Sequence, residues 1–95
     1  MPNFILILQS TYKKTGFFNV SVDYERFFGV DGSPINILIG NTNAQFVGKI
    51  NRTANKNGTP RIMGTANLKN WFQTLNVMKN IKVTILNSNS IRLDA

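Results

Sequence analysis

A chain of 95 residues and 10.7 kDa has room for one small core, and with 42% hydrophobic residues and seven Phe it is too apolar to be a disordered tail. The absence of Cys and His excludes disulfides, thiolate metal sites, the commonest zinc ligand and the usual general base near neutral pH, so no cofactor is expected. Eleven Lys and Arg against four acids give a net charge of +7, and because those acids are Asp23, Glu25, Asp31 and Asp94, no carboxylate lies between Gly32 and Leu93; such a surface attracts polyanions, above all nucleic acid.

Asn3 to Gln9 reads as a compact apolar strand. Its apolar core, Phe4 to Leu8, is far shorter than the roughly 20 residues that span a bilayer, and no basic segment precedes it, so a cytoplasmic protein with no membrane partner is expected. Ser10 to Gly16 is a polar, basic loop. Phe17 to Val22 alternates with period two, placing Phe18, Val20 and Val22 on one face and Phe17, Asn19 and Ser21 on the other. Asp23 is a plausible N-cap for a helix of at most two turns through Phe28, with Gly29 as its stop. The turn Asp31 to Pro34 leads into a strand over Ile35 to Gly40, and Asn41 to Asn43 turn the chain into a second over Ala44 to Asn51, giving a hairpin.

Arg52 to Thr59 is a second polar, basic loop, with Asn57 and Gly58 supplying a tight reversal, and Pro60 to Gly64 returns as a short strand. Leu68, Trp71, Phe72 and Leu75 fall on one face of a helix opened by Thr65 or Asn67 that carries Lys69 outward. Ile81 to Leu86 and Ile91 to Leu93 close the chain as a hairpin across Asn87 to Ser90. The expected fold is mainly β, seven strands with two short helices, organised as one domain over residues 1–95.

The chemistry follows from what these elements carry. Asp23 and Glu25 at a helix start suit capping and the macrodipole better than acid-base work, and no cluster of oxygen ligands or phosphate-cradling glycine loop is present. A binding role is therefore expected in place of catalysis. The first basic loop offers Thr11, Tyr12, Lys13, Lys14 and Thr15; the second offers Arg52, Thr53, Asn55, Lys56, Asn57 and Thr59, flanked by Lys49 and Arg61. These residue types read duplex DNA: Arg and Lys pair with guanine O6 and N7, Asn with adenine, Thr with the thymine methyl, and all of them with phosphate. Within this set Arg52, Lys56, Asn55 and Asn57 are expected to reach base edges together with Thr11, Tyr12 and Lys13, whereas Lys49, Lys69 and Lys79 on strand and helix surfaces suit phosphate.

The order of these parts resembles the B3 DNA-binding pseudobarrel of plant transcription factors and, more closely, the effector or recognition domains of bacterial restriction endonucleases. The similar stretches are Tyr12 with Gly16-Phe17-Phe18-Asn19-Val20, Phe27-Phe28-Gly29, Gly48-Lys49, Asn57-Gly58-Thr59-Pro60-Arg61-Ile62 and Trp71-Phe72. The resemblance implies a seven-stranded open barrel that grips the major groove with an N-arm after the first strand and a C-arm between the fourth and fifth. It also implies a monomeric domain, excised from a larger nuclease or acting alone, because a restriction enzyme needs a catalytic domain in addition. The chain departs from plant members at Val20-Ser21-Val22, where they commonly carry Ile-Pro-Lys, and at Lys79-Asn80, where they commonly carry Gly-Asp. Two other classes fit parts of the pattern. A swapped-hairpin regulator or antitoxin makes its barrel only as a dimer, and a PUA-like or OB-like RNA binder would stack bases on Tyr12, Phe17 or Trp71.

Overall fold

A computed structural model describes the whole chain from Met1 to Ala95. Alternation of apolar and polar side chains builds seven strands, each with one buried face: β1 (Asn3–Ile7), β2 (Phe17–Asn19), β3 (Pro34–Ile39), β4 (Gln45–Asn51), β5 (Arg61–Met63), β6 (Asn80–Asn87) and β7 (Ser90–Asp94). Ile35, Ile37 and Ile39 of β3 point inward, as do Ile81, Val83 and Ile85 of β6, and they join one apolar cluster that also takes in Phe18, Ile50, Ile62 and Phe72.

The strands pair in the order β1-β6-β7-β3-β4-β5-β2. All pairings are antiparallel except that of β3 with β7. The two end strands, β1 and β2, do not pair, yet Phe4, Ile5 and Ile7 of one and Asn19 of the other line a single cleft of about 240 Å³. The sheet therefore curls until its edges face each other and stops short of closure, leaving an open barrel with one seam. All seven strands come from one chain, so a second copy is not needed to complete the sheet.

Three short helices cross the ends of this barrel, one more than the sequence pattern implies. The segment expected as the first basic loop is a helix, α1 (Ser10–Thr15). Six residues are too few to be helical alone, since isolated helices shorter than about 12 residues are marginal. Tertiary contacts hold it: Tyr12 is buried, Gly16 caps the helix in the left-handed conformation (φ 80°), and Gly16 N–H donates to Tyr12 O at 2.9 Å. The second helix is a 3₁₀ segment, Val22–Phe27, whose cap position is Ser21 and not Asp23. Because β2 ends at Asn19, Val22 leaves the barrel interior and is 65% exposed.

Helix α2 (Thr65–Gln73) packs against α1. Leu68 and Phe72 are fully buried, while Trp71 and Leu75 lie at the rim of the core, partly covered. Gln73 Nε2 donates to Lys13 O at 2.5 Å, and Lys13 Nζ donates to Leu75 O at 2.6 Å, which draws the two helices together. Two glycines make the junction possible: Gly64 N–H donates to Gly16 O at 2.9 Å, a Cβ on Gly16 would stand 2.5 Å from Thr65 O, and one on Gly64 would stand 2.2 Å from Leu68 Cβ.

Candidate nucleic-acid interface

Strands β2 and β5 organise the surface. They pair antiparallel as Phe17 with Met63 and Asn19 with Arg61, and β4 continues the ladder as Lys49 with Met63 and Asn51 with Arg61. Phe18, Ile62 and Ile50 point into the core, so the alternate residues Phe17, Asn19, Arg61, Met63, Lys49 and Asn51 face outward together. α1 lies at one end of this short ladder and the C-arm, Arg52 to Pro60, at the other. With three residues in each strand, roughly 10 Å of backbone separates them at about 3.3 Å per residue.

A polar network joins the two ends. Asn19 Oδ1 accepts from Asn55 Nδ2 of the C-arm and from Arg61 Nε, both at 3.1 Å. Asn19 N–H in turn donates to the Tyr12 hydroxyl of α1 at 3.4 Å. The Phe17 ring stands edge-on to Tyr12, with centroids 5.7 Å apart, and its face carries the Arg61 guanidinium 4.1 Å from the ring centre. Asn19 and Phe17 are thus the hub of the surface. The period-two pattern of Phe17 to Val22 puts both on the outward face, but sequence offers Phe17 only as a stacking ring and gives Asn19 no role.

The C-arm is held from within. Asn51 Oδ1 accepts from Thr53 N–H, Thr53 Oγ1 and Ala54 N–H, shaping the first bend; Asn57 Oδ1 accepts from Thr59 N–H and Thr59 Oγ1, shaping the second. Asn55 Nδ2 also donates to Thr59 O, and Thr59 is buried. Lys56 and Asn57 remain exposed at the tip.

Arg52 corrects the expectation placed on it. Its guanidinium makes five hydrogen bonds inside the protein: Nε to Gly29 O, Nη1 to Glu25 Oε2 and to Gly58 O, and Nη2 to Glu25 O and to Phe28 O. Its backbone N–H donates to Asp31 Oδ1 at 2.7 Å. All three guanidinium nitrogens are occupied, so Arg52 has no fork to offer a base edge, and it ties the root of the C-arm to the 3₁₀ helix. Folding also carries Glu25 and Asp31 to this root, so the stretch from Gly32 to Leu93 is free of acids in sequence but not in space.

The other basic residues separate by what they touch. Tyr12 is buried and Lys13 is tied to α2, so neither stands free at the tip of an arm. Thr11 and Thr15 are exposed, with Thr15 Oγ1 donating to Thr11 O at 2.6 Å. Lys14, Lys49, Lys56 and Lys69 are exposed and form no ion pair, since the one salt bridge in the chain joins Arg52 to Glu25. Lys69 lies beside Gly16, on the side of α2 that meets α1. Lys79 is exposed at the foot of β1, where its carbonyl accepts from Leu8 N–H. A cleft of about 380 Å³ lined by Lys49, Asn51, Thr53, Met63, Thr65 and Asp31 runs along the same outward face. Of the aromatics that a base-stacking platform would need, Tyr12 is buried, Trp71 is partly covered, and Phe17 is capped by Arg61.

No protein-family model and no curated protein sequence matches the chain. Solved structures do. The Arabidopsis FUS3–DNA complex superposes with a TM-score of 0.72 at 18% identity, covering 97% of this chain and 93% of that one. The N-terminal domain of Helicobacter pylori LlaJI.R1 superposes with a TM-score of 0.71 at 9% identity over 99% and 86% of the two chains. The fold is a B3-type pseudobarrel. A hypothetical Arabidopsis thaliana protein shares it as well, with a TM-score of 0.68 at 9% identity over 97% and 86%. The segment after β1 and the segment between β4 and β5 carry most of the candidate residues, with Lys49 on β4, Arg61 on β5 and Lys69 on α2. No helix is long and apolar enough to cross a membrane.

Proposed function

We propose that residues 1–95 form a cytoplasmic, non-catalytic domain that binds double-stranded DNA sequence-specifically, with the α1 arm and the C-arm in one major groove. The observation that carries this reading is the polar network on the outward face of β2 and β5, in which Asn19 links Tyr12 of one arm to Asn55 of the other beside Arg61. The FUS3 structure, similar to this chain along nearly its whole length, is a complex with DNA. Lys14, Lys49, Lys69 and Lys79 are assigned to phosphate, and Asn55, Asn57, Thr53, Lys56 and Arg61 to the groove, with Thr11 and Thr15 along the edge of α1. Recognition within a restriction endonuclease is the biological setting that the sequence resemblance favours.

The test is a titration of labelled duplex at several salt concentrations with single-stranded RNA as competitor. With about four to six phosphate contacts, the slope of log K against log salt is expected near −4 to −5. Duplex should displace duplex while single-stranded RNA does not. A slope near zero with binding intact, or preferential displacement by RNA, would overturn the reading.

A further inference from the structure

The chain has four arginines, and the fold gives their heads different neighbours. Arg52 is saturated by the C-arm root and the 3₁₀ helix. Arg26 donates to Asp23 O and lies over Phe27. Arg92 sits on β7 between Leu38 and Thr84 of the neighbouring strands, with its Nε buried. Arg61 alone stands between the two arms with part of its head free.

That head is fixed from two sides. Nε donates to Asn19 Oδ1 at 3.1 Å, and the guanidinium carbon is 4.1 Å from the centre of the Phe17 ring. Nη1 and Nη2 have no protein partner, and they reach solvent, because the only buried side-chain nitrogen or oxygen left unpaired in the chain is Arg92 Nε. Arginine normally loses much rotamer freedom when it docks; here the ring and the amide have already restricted that freedom. A planar fork of N–H donors matches one base edge in the major groove best, the paired acceptors O6 and N7 of guanine. Adenine sets a donor beside its N7, and thymine offers a single acceptor.

We propose that Arg61 is a specificity-determining residue that reads a guanine through Nη1 and Nη2, with Asn19 and Phe17 as the residues that position it. The proposal rests on the duplex-binding reading above. It divides labour between the arginines at the two ends of the C-arm: Arg52 at its root shapes the arm, and Arg61 at the start of β5 reads.

The experiment begins with site selection from random duplex DNA on the wild-type protein, followed by titration of the selected site with each of its guanines replaced in turn by 7-deazaguanine, which lacks the N7 acceptor. One such replacement removes one of the two acceptors and leaves O6, so it is expected to weaken wild-type binding by part of the roughly 5- to 150-fold range of a lost bidentate pair. Arg61→Ala, which loses both bonds, should bind the unmodified site at least as weakly as wild type binds the modified one and be indifferent to that replacement. Arg61→Lys keeps the charge but loses the planar fork that Phe17 and Asn19 brace, so its sensitivity to that replacement should fall between those of wild type and Arg61→Ala. Phe17→Leu should retain the guanine preference at a reduced ratio.

Absence of duplex binding by the wild type would sink both readings. Duplex binding without a guanine sensitive to deaza replacement overturns this proposal and leaves the other standing. So does an Arg61→Ala variant that loses affinity for all duplexes alike with a shallower salt slope, which would make Arg61 a phosphate contact. The deaza series on the wild type requires no variant to fold.

Discussion

An arginine head with five internal hydrogen bonds is an organiser, and the cost of removing it lies in the carbonyls it leaves behind. Arg52 satisfies Gly29 O, Gly58 O, Glu25 O and Phe28 O, and it neutralises Glu25 across 2.9 Å. Hydrogen bonds to a charged donor contribute about 1.5 to 3 kcal/mol, so Arg52→Ala is expected to destabilise the domain by at least that much in a urea titration. Lysine cannot span four carbonyls from one ammonium, so Arg52→Lys should recover little of the loss. Limited trypsin digestion gives an independent readout, because Lys56 at the C-arm tip should be cut faster in both variants. Equal cleavage rates in wild type and variants would show that the arm keeps its shape without the guanidinium.

Among the elements, α1 and α2 behave as one unit. Six residues of α1 acquire their helical form from Tyr12, the Gly16 cap and the two hydrogen bonds to Gln73 and Leu75 at and just past the end of α2, and the Gly16 backbone lies where no Cβ fits. Gly16→Ala combines a positive φ with a 2.5 Å approach to Thr65 O, and a strained left-handed position alone costs on the order of 1 to 3 kcal/mol. A loss of thermal stability in that range or above, together with weakened duplex binding, is expected; a neutral change would show that the helices are not packed as described. On α2, Phe72 is fully buried and Trp71 only partly. Phe72→Ala should therefore cost about 3 to 5 kcal/mol and Trp71→Ala clearly less, and a reversed order in chemical denaturation would place the indole in the core after all.

The whole molecule presents its charge unevenly. Lys14, Lys49, Lys56 and Lys69 surround the β2 and β5 face without ion pairs, whereas Lys82 lies on β6 opposite Ile5 and Asp94 in register. Each phosphate contact adds about 0.9 to the salt slope, so alanine at Lys14, Lys49 or Lys69 should make the slope shallower by about that amount and weaken cognate and random duplex alike. Lys82→Ala should leave the slope unchanged. An effect at Lys82 as large as at Lys69 would mean that DNA lies across the β6 side of the barrel and not between the arms.

Strand positions, the inward faces of β3 and β6, the α2 stripe and the basic character of both arms could be read from sequence, because period two, period 3.6 and charge are properties of neighbouring residues. Phe17 and Asn19 are legible as the outward face of a strand, but their contacts are not, since these involve Arg61, 42 residues from Asn19 and brought beside it only when β2 pairs with β5. The same holds for Arg52. Composition and loop position marked it as a reader of bases, and only the arrival of Glu25, 27 positions earlier, and of the Gly29 and Phe28 carbonyls made it a brace. α1 was missed because six residues carry too little local free energy to signal a helix, and its stability comes from α2. Local physics determined which segments could pair and what charge they would bear; the long-range contacts decided that the Arg52 head is locked at the root of the C-arm and that the Arg61 head, just beyond its other end, is held only through Nε and the Phe17 ring.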